Sequence, residues 1–474
     1  MSRGSRRRGP EVVRRSRTPR LDLTSVLAVV LPLVTVGLLA LVRLPPVHST
    51  DQAPSLTKLT SALVVCPSGS TDSPDAAVST ASGAAGDVTV LAAGETQTVP
   101  VTTGASSPVD SPTALVLRGS DDLAPGLVGL RSGTAPLSAV ACTVPSPEQW
   151  FTGVGSRADH DSVIELVNPD AGPAVADITL LGRHLVSSGR LRGILIPGHK
   201  TITVDLGRVV PRRGLSTAHV VVSRGRLAVD VLDSSTDLVS HRTQHEWLPR
   251  QLAPAPTNQL LGLPEGQGDR TLQLANPGDD VVRVEIKVVT GDTSFVPNGL
   301  QPVSVPPGST VRVSLGPELV KALRDGALGV SVEADQPITA SLLTTLAKDR
   351  VLTVPASDVV AEAATLLPVV TGPGAKKNQV TARLLLSADA AGSAAVTAYD
   401  ASGEELLSRT IASQQGHTAA VDLPRGTAFV HVVPRGTPVR GAVLVSGDGV
   451  GATVLPLTEL LTRGLVPQIS PGRS

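Results

Sequence analysis

Six aromatic residues in 474, three Phe, two Trp and one Tyr, are too few to build the stacking platforms on which sugar-binding and single-strand nucleic-acid modules hold their ligands. Two cysteines, Cys66 and Cys142, in no CxxC or Cys/His spacing, leave no redox centre or structural zinc site to propose. Absent too are a Gly-x-Ser-x-Gly elbow, a Walker loop, a GxGxxG after a strand and any Asn-x-Ser/Thr acceptor, so the common hydrolase and nucleotide-binding templates find no match. What is present is Val, Ala, Leu, Gly, Thr and Pro. Cores built from small and β-branched aliphatics favour strands over long helices.

Formal charge is zero, with 41 basic and 41 acidic residues, yet it is unevenly placed. Residues 1–22 hold eight Arg against Glu11 and Asp22, net +6, which leaves the remainder at −6. The arm is followed by LTSVLAVVLPLVTVGLLALV, Leu23 to Val42, 20 residues without a charge, enough to cross ~30 Å of hydrocarbon at ~1.5 Å per residue. Pro32 is tolerable in such a span. The arm predicts a cytoplasmic N-terminus and an extracytoplasmic bulk from about residue 45. The alternative is a cleaved signal peptide and a secreted protein, but the apolar run is longer than a signal core of ~7–15 residues and lacks a small-x-small ending. Beside a span, the basic arm reads as a topology signal rather than a nucleic-acid contact. In an oxidising exterior Cys66 and Cys142 are expected to pair, closing a loop worth ~4 kcal/mol on the chain-entropy model.

The chain repeats itself. HDSVIELVNPD, His160 to Asp170, and GDRTLQLANPG, Gly268 to Gly278, both end an apolar run on Asn-Pro. ILIPGHKTITVDLG answers VSVPPGSTVRVSLG, and SQQGHTAAVDLP is a third copy, with Gly198, Gly308 and Gly416 spaced 110 and 108 residues apart. Asn168-Pro169 and Asn276-Pro277 stop strands, because proline has no ladder N–H and forces its predecessor into extended or turn geometry. The glycines are expected at turns needing φ > 0. About seven short strands per repeat read as tandem immunoglobulin-like or Greek-key β-sandwiches, an all-β fold. PELVKALRDG, Pro317 to Gly326, reads as one short helix, and each copy closes on a strand pair split by a turn.

QWFTGVGSRADHDSVIELVNPD, Gln149 to Asp170, resembles the aromatic pair, glycine, polar loop, aliphatic strand and Asn-Pro that open bacterial extracytoplasmic β-repeats. The layout over about residues 22–460 resembles an uncharacterised actinobacterial family of membrane-anchored or secreted proteins, a domain of unknown function. The shared motifs belong to the fold and bring no catalytic residues, and the later copies lack the aromatic pair. The expected organisation is a basic cytoplasmic arm 1–22, a transmembrane helix 23–44, a linker 45–60, a disulfide-bearing β-domain 61–147, sandwich repeats 148–254, 255–362 and 363–460, and a tail 461–474. Within the first domain, Pro67 to Asp87 is poor in bulky apolar residues and reads as open to disorder, while DVTVLAAGETQTVPVTT reads as a hairpin.

Candidate chemistry is sparse. Asp159-His160-Asp161 puts two carboxylates and an imidazole on one expected loop, too few ligands alone for a calcium site. His241 and His245, beside Glu246, would share a face at i and i+4 if helical, although the segment reads better as a connector with Trp247 at a seam. His199 and His417 share a repeat position where the middle copy has Ser309, which argues against a ligand role. Trp150-Phe151 reads as an interior plug, and Arg212-Arg213 beside Arg208 as a solvated loop able to meet an anionic glycopolymer. No cofactor or metal is expected. The expected function is a non-catalytic scaffold or interaction protein of the cell envelope with a protein or glycopolymer partner; the alternative is an envelope enzyme or accessory subunit whose site lies between domains.

Overall fold

Alternation decides the elements. In Ala174–Leu181 every second side chain is buried, and Val282–Val289 follows the same rule, as strands covered on one face must. The computed structural model describes residues 30–37, 55–134, 136–186, 188–346, 349–369 and 380–466; the basic arm, most of the expected span, most of the linker and the end of the tail lie outside them. Residues 30–37 are helical, with Thr35 Oγ1 donating to the Leu31 and Pro32 carbonyls at 3.0 and 2.9 Å. Among the described residues no helix is long and apolar enough to cross a membrane.

Leu56–Leu465 forms one unit, all-β but for short helices such as Gly316–Arg324, which realises the helix read at Pro317 to Gly326. Its strands fall into four groups along the chain, at 61–141, 148–248, 255–353 and 363–456, and the groups share one pairing scheme. In the first group, strands one to eight are Ser61–Cys66, Asp75–Thr80, Gly86–Ala92, Glu95–Val101, Ser107–Val109, Leu115–Ser120, Leu127–Thr134 and Leu137–Ala141. They form two sheets ordered one-six-three-four and five-two-seven-eight, and the last group repeats that order strand for strand. The second and third groups keep the pairings but fuse the two sheets. In the second, the hairpin of strands one and two joins them through Ser156 and Asp161. In the third, the 18-residue strand Gly329–Leu346 runs from one sheet into the other.

Two expectations need correction. The two closing strands, six and seven, lie in opposite sheets, and in the third group no turn splits them: they run on through Pro337, whose missing N–H falls where the chain changes sheet. Pro67 to Asp87, read as open to disorder, carries strand Asp75–Thr80 between Ser107–Val109 and Leu127–Thr134. The cause is Arg131. Fully buried, it donates to the carbonyls of Pro67, Pro74, Ser111 and Thr113 at 2.9–3.0 Å and gathers the segment around one guanidinium. The expected hairpin is present, pairing Ala92 with Glu95 across Ala93-Gly94, both at positive φ. Cys66 and Cys142 form a disulfide.

The Asn-Pro and glycine positions align through pairing register. The Asn168 amide donates to the carbonyls of Gly172, Ile196 and Pro197 while its oxygen accepts from Asp170 N; Asn276 does the same with Asp280, Val305 and Gly278. The side chain therefore pins two loops together as well as ending a strand. In the first group Thr80 holds this place, accepting from Ser82 N, and in the last Ala388 does. At the following turn Gly104, Gly308 and Gly416 have φ of 73°, 58° and 75°. In the second group the left-handed residue is His199 (φ 55°), not Gly198, because pairing register sets His199 opposite Gly308 and Gly198 opposite Pro307 in turns of equal length. Gly198 is needed for another reason: a Cβ there would collide with the Ala171 carbonyl. His199 and His417 thus do not share a position.

The groups close into a ring. Each eighth strand, Leu137–Ala141, Thr243–Leu248, Asp349–Thr353 and Gly451–Pro456, touches two of the others in cyclic order. At three seams the fifth strand's leading N–H donates to the end of the neighbouring group's third strand: Thr310 to Gly182 (2.7 Å), Thr418 to Gly291 (3.1 Å) and Ser106 to Ala401 (3.0 Å). The fourth seam, between the first and second groups, uses Val65, Val116, Val167 and Ala228 with Glu165 accepting from Ser68 N. First and last groups share one core, in which Leu130 and Leu137 pack with Leu366 and Leu455.

Candidate functional site

The ring surrounds a cavity of 1290 Å³ to which all four groups contribute, through Leu137, His245, Glu246, Asp349, Arg350 and Gly451 among others. Charged residues reach it because eighth strands carry them among apolar neighbours, in TQHEWL and DRVLT. Glu246 Oε1 accepts from Ser138 Oγ at 3.3 Å and Trp247 N at 3.0 Å. Burial, then the nearby Asp349 charge, holds the Glu246 carboxyl well above the usual range. Burial likewise pushes Asp349 up to about 6, although its Oδ2 accepts from Ala452 N at 2.7 Å. Beside them Arg350 Nη2 donates to buried Asp233 Oδ2 at 2.8 Å. Two carboxyls that burial makes harder to ionise, next to a fixed guanidinium, can exchange a proton or hydrogen-bond a polar ligand.

Asp233 also accepts from Ser162 Oγ and from His160 Nε2, the latter at 2.9 Å. Burial opposes its ionisation, but His160, Arg350 and Ser162 together hold it below the ordinary value. Ser, His and Asp meet here without forming a nucleophilic triad, because serine and histidine both bond the same carboxylate oxygen and neither activates the other.

The expected Asp159-His160-Asp161 loop does not converge. Asp159 is bound by Arg157 at 2.9 and 3.1 Å, His160 turns to Asp233, and Asp161 lies by Gly207, its carboxyl raised by burial and then by Asp205. His241 and His245 share no helix: His241 is exposed in a turn, and His245, on strand Thr243–Leu248, bonds Ser234 Oγ through Nδ1 at 2.8 Å. Among the described residues no group of three or more His, Cys, Asp or Glu could hold a metal. Trp150 and Phe151 are buried, the indole stacked on His219 at 3.7 Å and bonded to Glu148. Trp247 sits at a seam as expected, donating to Ser73 Oγ at 2.7 Å. Arg208 pairs with Asp205, away from Arg212 and Arg213. Sequence reasoning marks Glu246 only as a neighbour of histidines and passes over Asp349; a charged residue inside an apolar eighth strand is the signal that could have found them.

Residues 101–424 match the model of a family described as "Family of unknown function (DUF5719)". No curated protein matches the chain. Among solved structures, the Streptomyces avermitilis alpha-L-rhamnosidase complexed with L-rhamnose is similar at 10% identity and a TM-score of 0.12, over 84% of this chain and 57% of that one. The chain therefore spans little more than half of that protein's length, and a likeness so low carries no argument.

Proposed function

Because the chain belongs to DUF5719, a family of unknown function, we propose its role from geometry: a membrane-anchored, extracytoplasmic scaffold or interaction protein of the bacterial cell envelope, without catalysis. The observation that carries the reading is that what recurs from group to group is pairing scheme, turn and seam hydrogen bond, while Glu246, Asp349 and Asp233 have no counterpart set. The anchor rests on the +6 arm and the uncharged run Leu23 to Val42, and the compartment on the disulfide. Each group is read as a Greek-key, immunoglobulin-like sandwich: strands three and six face strands two and five as in that fold, with strand seven beside strand two instead of strand six.

A second reading has one observation in its favour. The central cavity holds two carboxyls with raised pKa values from different groups, as an envelope enzyme or accessory subunit acting on glycopolymers between domains would need. Deletion of the gene, complemented by Glu246→Gln/Asp349→Asn, separates the two. The scaffold reading expects full complementation by this variant and none by a chain lacking residues 255–362. Loss of function in the point variant, with surface level and fold unchanged, would favour the enzyme.

A further inference from the structure

At the seam of the second and third groups lies an open groove of 1120 Å³ lined by Arg157, Arg183, Arg212, Arg213 and Arg312 against one acid, Asp159. Arg157 is committed to Asp159. Among the described residues, Arg183, Arg212, Arg213 and Arg312 make no ion pair within 4.0 Å and are exposed. The chain beyond the basic arm carries excess negative charge, so four unpaired guanidinium groups on one seam are not a consequence of composition.

Nor are they a consequence of the repeat. The shared seam hydrogen bond fixes the equivalent positions: Thr310 to Gly182 here, Thr418 to Gly291 at the next seam and Ser106 to Ala401 at the third. Counting from those anchors, Arg183 becomes Asp292 and then Ser402, while Arg312 becomes Ala420 and then Pro108. The fold builds this seam without arginine twice. Arg212 adds a cost: it sits at φ 63°, where a side chain is strained, held by its N–H to the Ser156 carbonyl at 2.8 Å, with Arg213 N bonded to Ser156 Oγ at 3.1 Å. Backbone strain that places two cations at the rim of a groove points to a ligand.

We propose that this groove binds an anionic envelope polymer, a chain bearing phosphate or carboxylate groups, through Arg183, Arg212, Arg213 and Arg312. Guanidinium forks match both anions with paired N–H bonds, and a groove open along a seam admits a chain. The absence of aromatic side chains from its lining disfavours neutral sugar stacking. The inference rests on the interaction-protein reading and names the class of partner.

Full-length protein in detergent, titrated with fluorescent polyphosphate, polygalacturonate and neutral dextran, tests it. Binding of at least one polyanion, weakened by added salt, and none of dextran is the expected result; which polyanion binds assigns phosphate or carboxylate. Arg183→Asp with Arg312→Ala installs the residues of the next seam, which the fold already accommodates, and should weaken binding about tenfold or more. Unchanged affinity in that variant, equal binding of dextran, or no polyanion binding would overturn the site. Catalysis at the central carboxyls would overturn the scaffold reading but leave this binding intact, whereas absent polyanion binding would do the reverse.

Discussion

Arg131 has no exposed surface and directs its guanidinium to four carbonyls, those of Pro67 and Pro74 in the segment poor in apolar residues and those of Ser111 and Thr113 in the loop beside it. Burial lowers its pKa to about 10, offset in part by Glu165 and Asp75, so it stays charged at neutral pH. Removing it strands several buried acceptors at about 1–3 kcal/mol each. Arg131→Met should therefore cost about 3 kcal/mol or more in chemical denaturation, and a loss below about 1 kcal/mol would refute the role. Asp230 sets the opposite problem. Burial, then Glu165, pushes it up to about 8 against relief from Arg250, and its Oδ2 has no partner among the described residues. The unfolded carboxyl ionises near its ordinary value of 3.8 while the folded one keeps its proton, so the folded state binds more protons across that interval. Stability from this group is full below pH ~4 and is lost as pH rises toward 8. Asp230→Asn should thus gain stability relative to the parent between about pH 5 and pH 8; a pH-independent difference would contradict the assignment.

At the scale of elements, the turn before the fifth strand shows how one motif is met by different residues. Gly308 has the left-handed φ and open space around its Cβ position, so Gly308→Ala should cost only the strain of about 1–2 kcal/mol. Gly198 has an ordinary φ and no room, so Gly198→Ala must move the Ala171 loop and should cost more. His199→Gly should stabilise by up to ~1 kcal/mol by releasing strain. Urea midpoints of the three variants check that order, and equal losses at Gly198 and Gly308 would undo the register. Three repeats are legible in the sequence because proline, asparagine and glycine mark backbone events that side-chain patterning repeats. The first group does not announce itself as a fourth copy, because Thr80 stands where two other groups have asparagine and the strand after its turn, Ser107–Val109, is too short to repeat the alternating run that marks the last group at Thr418–Asp422. The central carboxyls are hidden for a different reason: Glu246 and Asp349 meet only through ring closure, and no local pattern in either strand points to the partner.

For the whole molecule, the seams decide how it unfolds. The first and last groups share a core in which Leu130, 1% exposed, packs with residues more than two hundred positions away in sequence, and Leu137 N donates to the Val450 carbonyl at 2.6 Å. The ring is thereby closed by apolar burial between distant parts of the chain, where loop-closure entropy is largest. Independent sandwiches would melt one by one, whereas groups that share cores lose them together. Leu130→Ala should cost about 2–5 kcal/mol and shift one common transition, although the residue belongs to the first group alone. Reduction of Cys66–Cys142 relaxes a link of 76 residues within that group and should lower the same transition by ~4 kcal/mol on the chain-entropy model. Calorimetry distinguishes the two architectures. One peak that moves as a whole in both cases supports the closed ring; a peak that splits, leaving three groups melting at the parental temperature, would mean that the seams hold the modules side by side without coupling them.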